Sequence, residues 1–181
     1  MYTGNNPTAI QSMDRLSRAA VRLLSDTTYP KITIRDLCKS ADVSRQTFYN
    51  LFDSKEEVLH YCIRNRYEKL FDNLADAAGT EISGITDTFI RFYEGNRGLI
   101  DCLIENHLES VITEELYDSI LLYVNRFVKR GDQDKRIPCA AAMLAGALTA
   151  LEVYLMKSGE NIEYEKITEL LADFLTGNLY L

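Results

Sequence analysis

Tryptophan is absent from this 181-residue chain, proline occurs three times and histidine twice. The two histidines, His60 and His107, leave little room for imidazole chemistry. No H-E-x-x-H pair, G-x-S-x-G elbow or phosphate-cradling glycine loop occurs. Acid pairs such as Glu56-Glu57 and Glu114-Glu115 read as helix starts, where the dipole accounts for them. No catalytic residue, cofactor or metal site is therefore expected, since metal ligands do not cluster along the sequence. Cysteine is equally sparse: Cys38, Cys62, Cys102 and Cys139 stand far apart with no C-x-x-C pair. That argues for a reduced, cytoplasmic chain rather than a disulfide scaffold. Long hydrophobic runs are missing too. The richest, Ala140 to Leu155, contains Glu152 and is shorter than a membrane span, and the N-terminus is polar, so neither a membrane helix nor a signal peptide is expected. Without strand alternation, repeats or low-complexity tracts, the expected fold is all-α.

What the chain does have is an uneven charge. The net charge is −7, which on its own argues against nucleic acid. Residues 1–66, however, carry ten Lys/Arg against seven Asp/Glu, while residues 67–181 carry ten against twenty. A positive first third is where a DNA contact would sit, with the acidic remainder turned away from it.

That first third is also the most heavily punctuated stretch. From Ile32 to Tyr61 the sequence predicts two short helices, Thr33–Ala41 and Arg45–Leu51, followed by a longer one from Lys55 to about Ala78. Thr33 can cap the first, with Asp36 as its reciprocal partner; Ser44 can cap the second; Ser54 and Glu57 form a capping-box pattern for the third. In the second helix, Phe48, Leu51 and Phe52 fall on the core side. Ser44, Arg45, Gln46, Thr47, Tyr49 and Asn50 fall on the other. Arg suits guanine, Gln and Asn suit adenine, and Thr can meet the thymine methyl. Tyr49 and Lys55 suit phosphates, and Thr33 and Arg35 are placed for backbone contacts.

These residues resemble the DNA-binding region of the TetR family of bacterial transcriptional regulators. The resemblance rests on Thr33-Ile34-Arg35-Asp36-Leu37, Ala41-Asp42-Val43-Ser44, Thr47-Phe48-Tyr49, Phe52 and Ser54-Lys55-Glu56-Glu57. It covers roughly the first third of the chain. Three positions depart from the family's habit: Asp42 stands where the turn usually has Gly, Thr28 follows the first helix where Gly is frequent, and Leu51 replaces a phosphate-reaching His. The resemblance implies a homodimer that binds a palindromic double-stranded DNA operator, with a small-molecule inducer in the C-terminal part. A repressor is the expected sign. On that basis the expected organisation is a helix-turn-helix domain over residues 1–53, the start of a connecting helix over 54–66, and a ligand-binding and dimerisation domain over 67–181. Two rival readings remain open: a protein-binding co-regulator that no longer reads DNA alone, and a small-molecule-binding helical bundle.

Around this core, residues 1–6 read as disordered and Pro7 to Asp26 as an amphipathic helix. Ile10, Met13, Leu16, Ala20, Leu23 and Leu24 share one face; Arg15, Arg18 and Arg22 share another. Beyond Tyr67, the glycines predict a break at 79–84, a helix from Ile85 to Glu94, a turn at Gly95-Asn96-Arg97-Gly98 and a short helix from Leu99 to Asn106. Further helices are expected from Thr113 to about Lys129, Pro138 to Ser158 and Tyr164 to Thr176, with a charged loop at 130–136 and a stop at Gly159. Phe89, Phe92, Tyr93, Leu103, His107, Tyr117, Tyr123 and Phe127 are the candidate lining of a ligand pocket, and equally good core residues. Ala142, Gly146 and Ala150, at spacing four, with Leu170 and Phe174 of the last helix, are the candidate dimer face.

Overall fold

The computed structural model describes residues 1–76, 82–127, 135–158 and 163–178, and the regular structure among them is entirely helical. In chain order the elements are α1 (Pro7–Asp26), a 3₁₀ turn (Tyr29–Lys31), α2 (Ile34–Ala41), α3 (Arg45–Leu51), α4 (Lys55–Asp76), α5 (Ile82–Glu105), α6 (Glu109–Phe127), α7 (Arg136–Ser158) and α8 (Tyr164–Thr176). Capping explains the early boundaries. Asn6 Oδ1 accepts from the Thr8 N–H at 2.9 Å, and Pro7, which has no N–H to leave orphaned, opens α1. Thr33 and Asp36 form the full reciprocal box at α2, and Ser44 Oγ accepts from the Thr47 N–H at 3.0 Å.

α4 is the axis of the molecule. It packs on α1 at its start and on α5 and α6 along its length; α7 covers α6, and α8 covers α5. Leu16, Leu37, Phe48 and Phe52 begin a buried apolar cluster that continues through Leu59, Tyr67, Leu103 and Ile112 without interruption. The short helices are thus held by the same core as the body, as elements too short to be stable alone require.

Several sequence expectations are corrected. Residues 1–6 are not loose: the Tyr2 N–H donates to the Leu51 carbonyl at 2.7 Å, and the Met1 ammonium lies 3.2 Å from Glu57. Ile10 is exposed rather than on the buried face of α1. The predicted turn at Gly95–Gly98 is helical, inside a continuous α5. The apolar series Phe89, Ile90, Tyr93, Ile100, Leu103 and Ile104 keeps its three-to-four spacing across the glycines, so burial along one stripe overrides their low helix propensity. Gly84 already lies within α5. Residues 79–81, the loop at 130–134 and Gly159 lie outside the described residues.

The α5–α6 boundary follows from a residue the periodicity did not mark. His107 adopts the left-handed conformation (φ 58°). Its N–H donates to the Ile104 carbonyl at 3.0 Å, and the Leu108 N–H to the Leu103 carbonyl at 2.9 Å, the paired bonds of a Schellman stop. α6 therefore begins at Glu109, not Thr113. Glu114 and Glu115 fall inside the helix rather than at its start. Glu115 is buried, held by Arg64 Nε at 2.8 Å, Arg64 Nη2 at 2.7 Å and His60 Nδ1 at 2.9 Å.

α7 also differs. At 23 residues and high mean hydropathy it is long and apolar enough to cross a bilayer, because the helix extends past both ends of Ala140–Leu155. In this fold one side is covered by α6, with Thr149 and Glu152 buried there.

Candidate DNA interface

The reading unit is α2, a tight turn and α3. Leu37, Cys38 and Ala41 anchor α2, and Phe48 and Leu51 anchor α3. Phe48 is fully buried with its ring 5.9 Å from Phe52, which in turn meets Tyr61 of α4 edge-on at 5.8 Å. This aromatic row fixes the rotation of α3 about its own axis. Whatever lies opposite Phe48 must therefore face outward. Arg45, Gln46, Tyr49 and Asn50 are exposed, Tyr49 at 51%, and Thr47 is half-buried.

The turn carries its own brace. Asp42 sits in the left-handed region (φ 52°, ψ 53°), as its place in a Gly position suggested. Arg15 of α1 reaches it with Nη2 at 2.9 Å from the Asp42 carbonyl and 2.8 Å from Oδ2. Two helical turns on, Arg22 Nη2 does the same to Ser40, at 2.9 Å from the carbonyl and 2.8 Å from Oγ. The sequence places Arg15, Arg18 and Arg22 on one face of α1 and assigns them no role. Their i, i+3, i+7 spacing was the signal, and two of the three clamp the turn to α1. Thr28 needs no glycine, since its φ is −71°.

The other predicted contacts divide. Ser44 is exposed, but its hydroxyl is engaged as the α3 cap and lies 2.8 Å from the Thr47 hydroxyl. The Thr33 hydroxyl donates to Asp36 Oδ2 at 2.6 Å, which lowers the Asp36 carboxyl from its ordinary value. Arg35 is exposed beside it. Lys55 is placed differently from a phosphate ligand. Its ammonium donates to the carbonyls of Tyr29 and Ile32, both at 2.8 Å, and lies 4.1 Å from the Tyr29 ring centre. Desolvation there lowers the Lys55 pKa, and burial pushes the Tyr29 hydroxyl up to about 12. Lys55 thus ties the 3₁₀ turn to α4. Leu51 is buried core and presents nothing to a phosphate. The third cap is half a box: Ser54 Oγ accepts from the Glu57 N–H at 3.2 Å, while Glu57 accepts from the Asp53 N–H at 2.8 Å.

The eight candidate pocket residues do not converge. Phe92 lines a polar cleft between α1, α4 and α5, Tyr123 a shallow one between α4 and α6, and Phe89 a small apolar cavity of about 80 Å³ inside the body. Tyr93 and Leu103 are buried, Tyr117 is half-buried, and His107 is the exposed helix stop. The Phe127 side chain lies outside the described residues. On α7 and α8, by contrast, Ala142, Gly146, Ala150, Leu170 and Phe174 are all exposed. Met143, at 76%, and Tyr154 share that surface, and an apolar groove of about 310 Å³ runs between Leu144, Leu151, Leu170 and Phe174.

Fold and site together define a helix-turn-helix protein: an all-helical body bearing a braced two-helix unit whose second helix turns a polar face outward. Residues 16–62 match the family described as bacterial regulatory proteins, tetR family. That match takes in the helix-turn-helix and its flanks, about a quarter of the chain. Over 64 residues it is 31% identical to the HTH-type dhaKLM operon transcriptional activator DhaS of Lactococcus lactis subsp. lactis; that stretch is 35% of this chain and 34% of DhaS. The match thus spans about a third of that relative. In fold the chain is similar to Lin0861 from Listeria innocua, with a TM-score of 0.76 at 20% identity, covering 99% of this chain and 97% of the other. It is also similar to the transcriptional regulator FadR from Bacillus subtilis, solved in complex with stearoyl-CoA, with a TM-score of 0.59 at 12% identity over 92% and 99%.

Proposed function

We propose that this protein is a sequence-specific, DNA-binding transcriptional regulator of the cytoplasm, working as a homodimer and as a ligand-responsive repressor. Residues 1–53 form the reader, 54–66 start the connecting helix, and 67–181 form the ligand-binding and dimerisation part. The observation that carries the reading is the polarity of α3: Phe48 and Leu51 are buried on one side, and Arg45, Gln46, Tyr49 and Asn50 are exposed on the other. A helix so divided suits a major groove, with Arg45, Gln46 and Asn50 toward base edges and Tyr49 toward a phosphate. The exposed small and apolar residues of α7 and α8 support a two-fold contact with a second copy. Two α3 helices would then meet half-sites one helical turn or a multiple apart on one palindrome.

Selection of random duplex DNA by the purified protein, with Tyr49→Ala and Arg45→Ala alongside, tests this. The expected result is a palindromic motif that Tyr49→Ala binds poorly. Arg45→Ala should cost about 1–3 kcal/mol and relax specificity at one position per half-site. No enrichment by a folded, dimeric protein would instead favour a co-regulator that acts through protein contacts. That reading draws on Leu51 being buried and Lys55 being engaged internally, which removes two backbone contacts.

A further inference from the structure

We propose that the cleft between α1, α4 and α5 binds a phosphorylated small molecule. The cleft has a volume of about 650 Å³, within the range of small-ligand sites. Four cations line it: Arg18 of α1, Arg66 and Lys69 of α4, and Arg91 of α5. Asp14 is the single carboxylate in the lining, and its Oδ1 already accepts from the Tyr61 hydroxyl at 2.8 Å. This concentration of positive charge lies in a protein of net charge −7, next to its acidic part.

Three of the four cations have no carboxylate partner among the described residues. Arg18 and Lys69 make no hydrogen bond or ion pair among the described residues. Arg66 is oriented from behind, with Nε donating to Asn96 Oδ1 at 3.0 Å and Nη1 to the Cys62 carbonyl at 2.8 Å. Its Nη2 has no acceptor among the described residues, so a guanidinium held in place keeps a free edge. Arg91 pairs with Asp87 at 2.7 Å, in an exposed i, i+4 contact of little strength. Like charges facing one another across a concave surface focus a positive potential, and an anion that enters relieves their repulsion. Guanidinium forks match phosphoryl oxygens, and an ammonium adds a point charge. Phe92, whose ring stacks on Tyr67 at 5.2 Å, offers an apolar floor for the rest of the ligand.

This inference rests on the ligand-responsive reading above and names its ligand class. It also supplies a route for the response, because a ligand here touches α1 of the reader, the connecting α4 and α5 of the body at once.

The test is calorimetric titration of the full-length protein with pyrophosphate, ADP and adenosine at matched ionic strength. Arg18→Gln with Lys69→Gln removes the two unpaired cations, and Lys157→Gln serves as a control for an exposed cation elsewhere. Thermal melts confirm that each variant is folded. The expected result is binding of pyrophosphate and ADP but not adenosine, weakened about tenfold or more by the double variant and unchanged by Lys157→Gln. Absence of binding by either phosphate probe overturns the proposal, as does equal binding by the double variant. So does a double variant that loses DNA affinity while keeping phosphate binding, which would place the cleft in the DNA footprint. The titration contains no DNA, so failure of DNA reading does not affect it. Repeating DNA binding with pyrophosphate present then tests the coupling separately.

Discussion

Asp42 and Glu152 are each in an environment their residue type disfavours, and each makes a prediction. Asp42 holds a left-handed conformation that a β-carbon penalises by about 1–2 kcal/mol. Its carboxylate recovers part of that through Arg15, although the pair is exposed and such pairs contribute little. Asp42→Gly should therefore be neutral to mildly stabilising, whereas Asp42→Ala should lose about 1 kcal/mol. Chemical denaturation of the two variants decides it; equal destabilisation would mean that the salt bridge, not the backbone, governs the turn. Glu152 is 1% exposed, and neither carboxylate oxygen finds a partner among the described residues. Burial pushes its pKa up to about 8 from 4.5. A carboxyl that holds its proton more tightly in the native state contributes its full stability below the unfolded value and loses it as pH rises through the native one. Melting temperature should fall between about pH 5 and 8 in the wild type. Glu152→Gln should flatten that dependence and be more stable at pH 8.5 by on the order of 3 kcal/mol. A Gln variant with the same pH profile would locate the proton elsewhere.

Elements were legible where local chemistry agreed with the tertiary structure. Thr33 with Asp36, and Ser44 ahead of Thr47, are capping signals that act within four residues, so α2 and α3 could be read directly. The outward face of α3 followed from Phe48 and Leu51 alone. α5 was misread for the opposite reason. Gly95 and Gly98 are local breakers in a helix that forms because Ile90, Tyr93, Ile100 and Leu103 are buried by α4 and other helices, which no short window contains. The same blindness hid Glu115, whose partners His60 and Arg64 lie on another helix, and Lys55, whose acceptors Tyr29 and Ile32 lie ahead of α2. The glycines now give a test. A β-carbon at Gly95 or Gly98 meets nothing within 4 Å. Each Gly→Ala change should then stabilise by about 0.5–1 kcal/mol through helix propensity and the unfolded chain. A loss of stability on thermal unfolding would show that α5 needs a bend there.

For the whole molecule, the proposed dimer raises the question of how two readers would lie at a fixed distance. Within one subunit the first half of α4 is held on two sides. Toward the reader, Tyr61 bonds Asp14 at 2.8 Å and packs on Phe52; toward the body, Arg64 and His60 close on the buried Glu115. On the proposed reading, a strut of this kind would pass a change in the body to the angle of α3, but it would set a spacing only if two bodies were joined. The surface suited to joining them is that of α7 and α8, where Met143, Tyr154, Leu170 and Phe174 lie exposed around Ala142, Gly146 and Ala150. Small residues at spacing four let two helices approach closely, and the larger apolar side chains around them would lose their water on contact. Phe174→Glu places a charge in that contact without touching the core of the subunit, since Phe174 is 53% exposed. The expected outcome is a folded monomer by sedimentation. Its affinity for a full palindrome should fall by roughly 10²–10³, because the second half-site is no longer held at high effective concentration. Its affinity for an isolated half-site should be unchanged. If Phe174→Glu sediments as a dimer and binds the palindrome as before, the two-fold contact lies on another face, and the apolar groove of α7 and α8 serves a different occupant.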